Sequence, residues 1–162
     1  MMQNIDDLKS LKKLEDFLWE TFKLYRIHID IIEILADEYF SRCKLRNDIY
    51  LSINIADKLS NAAWEKCVLL DNKLTKMKNN YRRRYSRKII KVQVQLDEAV
   101  AHEKKVNKIV ENLKTEYNTA CKNTDSLNCY LDYLTDRVKI ILNVRDSLNS
   151  DIVHIRMNIR NY

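Results

Sequence analysis

Apolar residues recur along this chain at the alternating three- and four-residue spacing of a heptad. From Phe22 those steps land on Tyr25, Ile29, Ile32, Ala36, Tyr39 and Cys43, all apolar or aromatic. From Ile49 they land on Ile53, Ala56, Ser60, Ala63, Cys67, Leu70, Leu74, Met77 and Tyr81, with only Ser60 breaking the pattern. A further run starts at Val92 and passes through Leu96, Ala99, Glu103, Val106, Val110, Leu113, Tyr117, Ala120, Thr124 and Leu127. It continues through Leu131, Leu134, Val138, Ile141, Arg145, Leu148, Ile152, Ile155, Ile159 and Tyr162. A period of about 3.5 residues held this long predicts helices that pair as a left-handed coiled coil.

The phase changes in two places. Arg46-Asn47-Asp48 offers helix-capping chemistry just before Ile49, and Asn79-Asn80 with the arginines that follow separates the second run from the third. Asn123-Thr124-Asp125-Ser126 is also rich in cap-forming residues, although the heptad runs straight through it. Helices are expected over residues 5–43, 48–79, 84–122 and 125–160, the last two joined or separate. The fold class that follows is all-α: an elongated helical hairpin or coiled coil. Its N-terminal helical region covers 1–47, and its coiled-coil region covers 48–162 with a basic break near 79–91. The candidate contacts to a partner helix are Leu70, Leu74, Leu113, Leu127, Leu131, Leu134, Val138, Ile141, Leu148 and Ile152. The polar stripe positions Glu103, Thr124 and Arg145 would fix register and partner choice.

The N-terminal third differs. Between Leu8 and Phe40 apolar side chains cover more than one helix face, so this part is expected to be buried on several sides or wrapped by a partner.

Composition narrows the choice further. The chain has no Gly and no Pro, the residues that punctuate turns and break helices. Hairpin-rich sheets are therefore disfavoured, and phosphate-cradling glycine loops are excluded. Asp30, Glu33 and Asp37 interrupt the most apolar stretch, so no membrane span is expected. The first residues lack the order of a secretory signal, and an intracellular protein is expected. Cys43, Cys67, Cys121 and Cys129 show no paired metal or redox spacing and read as reduced, packed cysteines.

The net charge of +6 is concentrated in one stretch. Residues 73–91 hold nine basic side chains and no acidic one: Lys73, Lys76, Lys78, Arg82, Arg83, Arg84, Arg87, Lys88 and Lys91. Such a patch suits a solvated helix surface, an acidic protein partner or, less well, nucleic acid with Tyr81 and Tyr85 stacking on bases.

Catalytic chemistry finds no constellation. His102-Glu103-Lys104-Lys105-Val106 opens like a zinc-binding HExxH motif but lacks the second histidine. His28, His102 and His154 stand far apart in sequence, and the many carboxylates alternate with lysines as on solvated helix faces. No catalytic, cofactor-binding or metal-binding residue is assigned, and no cofactor or small-molecule substrate is expected.

Around the first phase change stand Ile32-Glu33-Ile34-Leu35, Arg42 and Arg46-Asn47-Asp48-Ile49-Tyr50-Leu51-Ser52-Ile53, followed by Lys58, Leu70 and Leu74. This run resembles subunit 1 of the augmin complex. In that family a similar Glu-Ile-Leu step leads through a basic stretch into the opening of the coiled coil. Arg84-Tyr85-Ser86-Arg87-Lys88 and Leu127 to Leu134 form a weaker echo. The resemblance covers residues 30–75 and loosely the rest. Family members are longer and carry Gly and Pro near the N-terminus and a polar linker, which this chain lacks; its length is similar to the small insect version. The resemblance implies a non-catalytic scaffold subunit of a hetero-octameric complex. That complex promotes microtubule-dependent microtubule nucleation in the spindle by recruiting the gamma-tubulin ring complex. The partners implied are other coiled-coil subunits and, through the assembly, microtubules or the gamma-tubulin complex; the location implied is cytoplasmic, on the spindle. The alternative is a self-contained helical bundle that binds nucleic acid or an acidic surface through residues 73–91.

Overall fold

The structure, a computed structural model, describes residues 2–80 and 86–160. They form two helices packed as a hairpin, α1 (Met2–Asn80) and α2 (Ser86–Arg160), with no strand among the described residues. No described residue takes a positive φ. A chain without Gly or Pro has little to interrupt a helix once its apolar stripe finds cover.

The helix break expected near residues 44–48 is absent, and at 123–126, where joined and separate helices were both open, α2 runs straight through. The reason lies in the heptad. Let a and d denote the seam positions of each seven-residue repeat. In α1 one unbroken series of residues that are buried or half-buried runs Leu11, Leu14, Leu18, Thr21, Tyr25, His28, Ile32, Leu35, Tyr39, Arg42, Arg46 and Ile49. It continues at the same spacing from Ile53 to Met77. The phase read from Phe22 shares Tyr25, Ile32 and Tyr39 with this series but takes Phe22 in place of Thr21, and Phe22 is exposed. The seam itself carries the polar residues Thr21, His28, Arg42 and Arg46, which is why it looked broken in the sequence. In α2 every seam position read from Val92 to Ile159 is buried or half-buried. Tyr81, Arg82, Arg83, Arg84, Tyr85 and Tyr162 lie outside the described residues.

Two compact units divide the chain: Met1–Ser41 with Thr124–Tyr162, and Arg42–Asn123. Their seams differ in composition.

In the unit Arg42–Asn123 both helices bury mostly apolar seam residues. Ile53, Ala56, Ala63, Cys67 and Leu74 of α1 are buried, as are Val92, Ala99, Val106 and Val110 of α2. One polar layer crosses it: Ser60 Oγ donates to Asn107 Oδ1 at 2.5 Å, and Asn107 Nδ2 donates to Glu103 Oε1 at 3.5 Å. The antiparallel order is set by Tyr50 against Tyr117, with ring centroids 6.0 Å apart, and by Lys78 Nζ donating to Gln93 at 3.5 Å.

In the unit Met1–Ser41 with Thr124–Tyr162, α2 supplies most of the buried seam: Thr124, Leu127, Leu134, Val138, Leu148 and Ile152. Among the described residues of α1 in this unit only Thr21 is buried, its Oγ1 donating to the Phe17 carbonyl at 2.8 Å. Leu18, Tyr25, Ile32 and Leu35 stay half-buried. Thr124 is 1% exposed, so the cap-rich stretch around it is helix interior, facing the seam. Arg156 pairs with Glu15 at 2.7 Å and makes this unit antiparallel as well.

Candidate functional site

All ten residues expected to meet a partner helix lie on the seam between α1 and α2. Leu74, Leu127, Leu134, Val138, Leu148 and Ile152 are buried there, and Leu70, Leu113, Leu131 and Ile141 are half-buried. The helix they meet is the chain's own. The exposed apolar residues of the chain lie elsewhere on the helices.

The heptad locates them. The cross-helix polar pairs Glu15–Arg156 at 2.7 Å, Asp57–Lys114 at 3.4 Å and Lys78–Gln93 at 3.5 Å all join e positions, just after d. In an antiparallel pair, e flanks e on one side of the seam and g flanks g on the other. The g side carries a second apolar stripe that sequence reasoning missed. In α1 of the first unit it reads Leu24, Ile27, Ile31 and Ile34, at g and c positions, all exposed. In α2 of the same unit Tyr130, Tyr133, Ile140 and Val144 occupy the equivalent g and c positions, also exposed. Leu24 stands level with Val144, and Ile31 level with Arg137. The signal was present as the excess of apolar residues between Leu8 and Phe40. What it lacked was the position of the true seam, without which the surplus stripe could not be separated from the covered one.

The opposite side of this unit holds a cleft of about 450 Å³ lined by Glu15, Leu18, Trp19, Phe22, Arg145 and Asn149. Trp19 and Phe22 stack at 6.0 Å, and the Lys23 ammonium lies 5.7 Å from the Trp19 ring. Arg145, read as a polar seam position, is half-buried and holds Asp146 through Nε at 2.9 Å and Nη2 at 2.7 Å.

In the unit Arg42–Asn123 the g side is different. Of the basic stretch, Lys73, Lys76, Lys78, Arg87, Lys88 and Lys91 are described and exposed, whereas Arg82, Arg83 and Arg84 fall outside the described residues. Lys73, Lys76, Lys88 and Lys91 all take g or c positions and so share one side of the seam. Lys73, Lys88 and Lys91, with Met77, Val92 and Gln95, line a cleft of about 300 Å³. Among the described residues no carboxylate lines it. Lys78 takes the other side, at e, where it reaches Gln93.

Two groups of the seam, Cys67 and Tyr117, are shifted upward. Burial pushes the Cys67 thiol up, with the adjacent Glu103 carboxylate acting in the same direction. Tyr117 is raised by its hydrogen bond with Cys121. These shifts stabilise protonated, unreactive forms, the opposite of what a nucleophile needs. All four cysteines are free; Cys67 is buried, Cys43 and Cys121 half-buried, and Cys129 exposed. Among the described residues no group of three or more His, Cys, Asp and Glu could hold a metal ion. None of the described helices is long and apolar enough to cross a membrane. His28 hydrogen-bonds through Nδ1 to the Leu24 carbonyl at 2.8 Å, a local helix contact.

No protein-family model, curated protein or solved structure matches the chain.

Proposed function

We propose that the chain is a non-catalytic coiled-coil scaffold subunit of a hetero-oligomeric complex of the augmin type. Such a complex promotes microtubule-dependent microtubule nucleation in the spindle by recruiting the gamma-tubulin ring complex. One observation supports the scaffold reading above others. The two helices fill their own seam and still leave a second heptad-spaced stripe, Leu24-Ile27-Ile31-Ile34, exposed to solvent. Large apolar residues repeating on a second helix face suit a surface that other helices cover. The augmin assignment within that reading rests on the resemblance of residues 30–75.

The test is to tag the chain in dividing cells that make it and purify it under native conditions. Stoichiometric recovery of other coiled-coil subunits, with reduced gamma-tubulin along spindle microtubules on depletion, is the expected result. Recovery of the chain alone, with normal spindles after depletion, would refute the assignment.

A second reading is favoured by a separate feature. Lys73, Lys76, Lys88 and Lys91 gather on one side of the seam, which suits attachment to an acidic protein surface or nucleic acid. Replacing these four lysines by glutamine should abolish salt-dependent binding to such a polymer and leave helix assembly intact.

A further inference from the structure

We propose that the lysine cleft of the unit Arg42–Asn123 binds a second copy of the chain, through the acidic back of that copy's α1 around Glu33 and Asp37. The inference rests on the second reading above, in which the lysine side attaches to an acidic surface, and it names that surface.

The lysines lack a counter-charge on their own helices. Lys73 and Lys76 stand one turn apart on α1, and Lys88 and Lys91 one turn apart on α2. Three of the four line the cleft of about 300 Å³. No carboxylate stands three or four residues to either side of any of them. Like charges at that spacing destabilise a helix. Lys88 and Lys91 also lie in the first two turns of α2, where the helix dipole is already positive and the first turn holds no acidic residue. The nearest acids of the same unit point to other partners. Asp97 accepts a hydrogen bond from Gln93 at 3.0 Å, and Glu98 lines a separate cleft with Lys66 and His102. Asp71 takes an e position, on the other side of the seam.

The chain carries the complement of this patch. Asp30, Glu33, Asp37 and Phe40 follow one another by three, four and three residues along the back of α1, at f and b positions, and all are exposed. Within one turn of the three acids the helix offers a single cation, Arg26. Each surface also has an apolar neighbour. Phe40, one turn past Asp37, is 69% exposed, and Leu69, one turn before Lys73, is 70% exposed. Two α1 helices laid antiparallel bring Glu33 to Lys76, Asp37 to Lys73 and Phe40 to Leu69 in one register, in step to within one residue. Two charge pairs and an apolar contact then fix the orientation together.

The charge of the larger units points the same way. The unit Met1–Ser41 with Thr124–Tyr162 holds 14 acidic and 10 basic residues, a net charge of −4. The unit Arg42–Asn123 holds 19 basic and 9 acidic residues, a net charge of +10. Unlike units of two copies therefore attract each other. Nucleic acid is a poorer occupant, because among the described residues no aromatic ring lines the cleft for a base to stack on. Glu98 and Glu116 take exposed c and g positions on the same side, where an extended polyanion or an anionic lipid surface would meet them.

The experiment is sedimentation of the full chain at low and high salt. Two variants are compared with the wild type: Glu33→Lys with Asp37→Lys, and Lys73→Glu with Lys76→Glu. All four positions are exposed, and circular dichroism checks that the helices are kept. The wild type is expected to self-associate, more weakly as salt rises. Each variant alone is expected to self-associate about tenfold more weakly or worse. Their equimolar mixture is expected to recover the wild-type affinity as a 1:1 complex, because the reversed charges of one variant match the native charges of the other. A monomeric wild type overturns the proposal, as does a mixture that fails to associate or self-association that neither reversal weakens. If the wild type is monomeric and still binds duplex DNA or an acidic peptide through the lysines, this inference falls and the second reading stands. If the lysine reversal changes neither self-association nor binding of those probes, both fall together.

Discussion

Two aliphatic side chains in the same unit separate the covered seam from the outer stripe. Leu134 is 4% exposed and Ile34 is 69% exposed. Leu134→Ala deletes three carbon groups from a packed site. At about 0.8 kcal/mol each, the lost transfer energy is roughly 2.4 kcal/mol, and the cavity left behind brings the total to about 2–5 kcal/mol. Ile34→Ala removes groups that mostly face water and leaves no cavity, so its cost is below about 1 kcal/mol. Alanine is the best helix former, and neither change carries a propensity penalty. Urea unfolding of the isolated chain followed by circular dichroism measures both. Leu134→Ala should move the midpoint by about 1 M or more at unchanged slope, and Ile34→Ala by a small fraction of that. Partner binding should show the reverse order, with Ile34→Ala weakening affinity by roughly tenfold. Equal midpoint shifts for the two variants would refute the assignment of Ile34 to an outer stripe. A larger loss from Ile34→Ala would place the seam on the wrong face altogether.

Other outcomes follow from the same geometry. Cys129 should react first with an alkylating reagent and Cys67 last, as mass spectrometry of the native chain would show. Because the folded Cys67 thiol is raised above its ordinary value of 9.0, its contribution to stability is complete below that pH. That contribution is lost as pH rises through the folded value; the loss should be smaller in Cys67→Val, which separates it from other alkaline titrations. Arg46→Leu fills a half-buried seam position with an apolar group and should stabilise the hairpin by about 1 kcal/mol, seen as a raised urea midpoint. Glu15→Gln removes the exposed pair with Arg156 and should cost less than about 1 kcal/mol, an effect that high salt erases.

The α2 seam was legible in full from its sequence. Its polar members, Glu103, Thr124 and Arg145, are isolated among aliphatic residues, and the heptad survives them. The seam of α1 from Ile49 to Met77 was equally plain. The N-terminal part was misphased because two stripes compete there. The true seam carries Thr21, His28, Arg42 and Arg46, whereas the neighbouring phase offers Phe22, Ile29, Ala36 and Cys43. Reading by hydrophobicity favours the second phase. Packing favours the first, since Thr21 can return its hydroxyl proton to the Phe17 carbonyl, and Arg42 can donate to the Asn123 carbonyl at 3.3 Å. The cap-like Asn47-Asp48 failed to start a helix for a related reason. The Asp48 carbonyl accepts the Ser52 hydroxyl at 2.9 Å inside a continuing helix, and the seam residues Ile49 and Ile53 hold that turn in place. The lysine patch was visible as charge. Its gathering on one side of the seam needed the register.

The cross-helix contacts also define a folding order. Lys78 and Gln93 are 15 residues apart in sequence, Ser60 and Asn107 are 47 apart, and Glu15 and Arg156 are 141 apart. Closing the last pair directly costs about 2 kcal/mol more in loop entropy than closing the first. The hairpin is therefore expected to zip from the Lys78–Gln93 end, each rung shortening the loop that the next must close. Met1–Ser41 and Thr124–Tyr162 are therefore expected to meet last, and hydrogen exchange should be faster around Glu15 and Arg156 than around Ser60 and Asn107. The exposed stripe of Leu24 and Ile31 on α1 meets that of Ile140 and Val144 on α2 only after that final closure. A partner helix that needed the stripes of both α1 and α2 would find no completed surface on a nascent or half-zipped molecule.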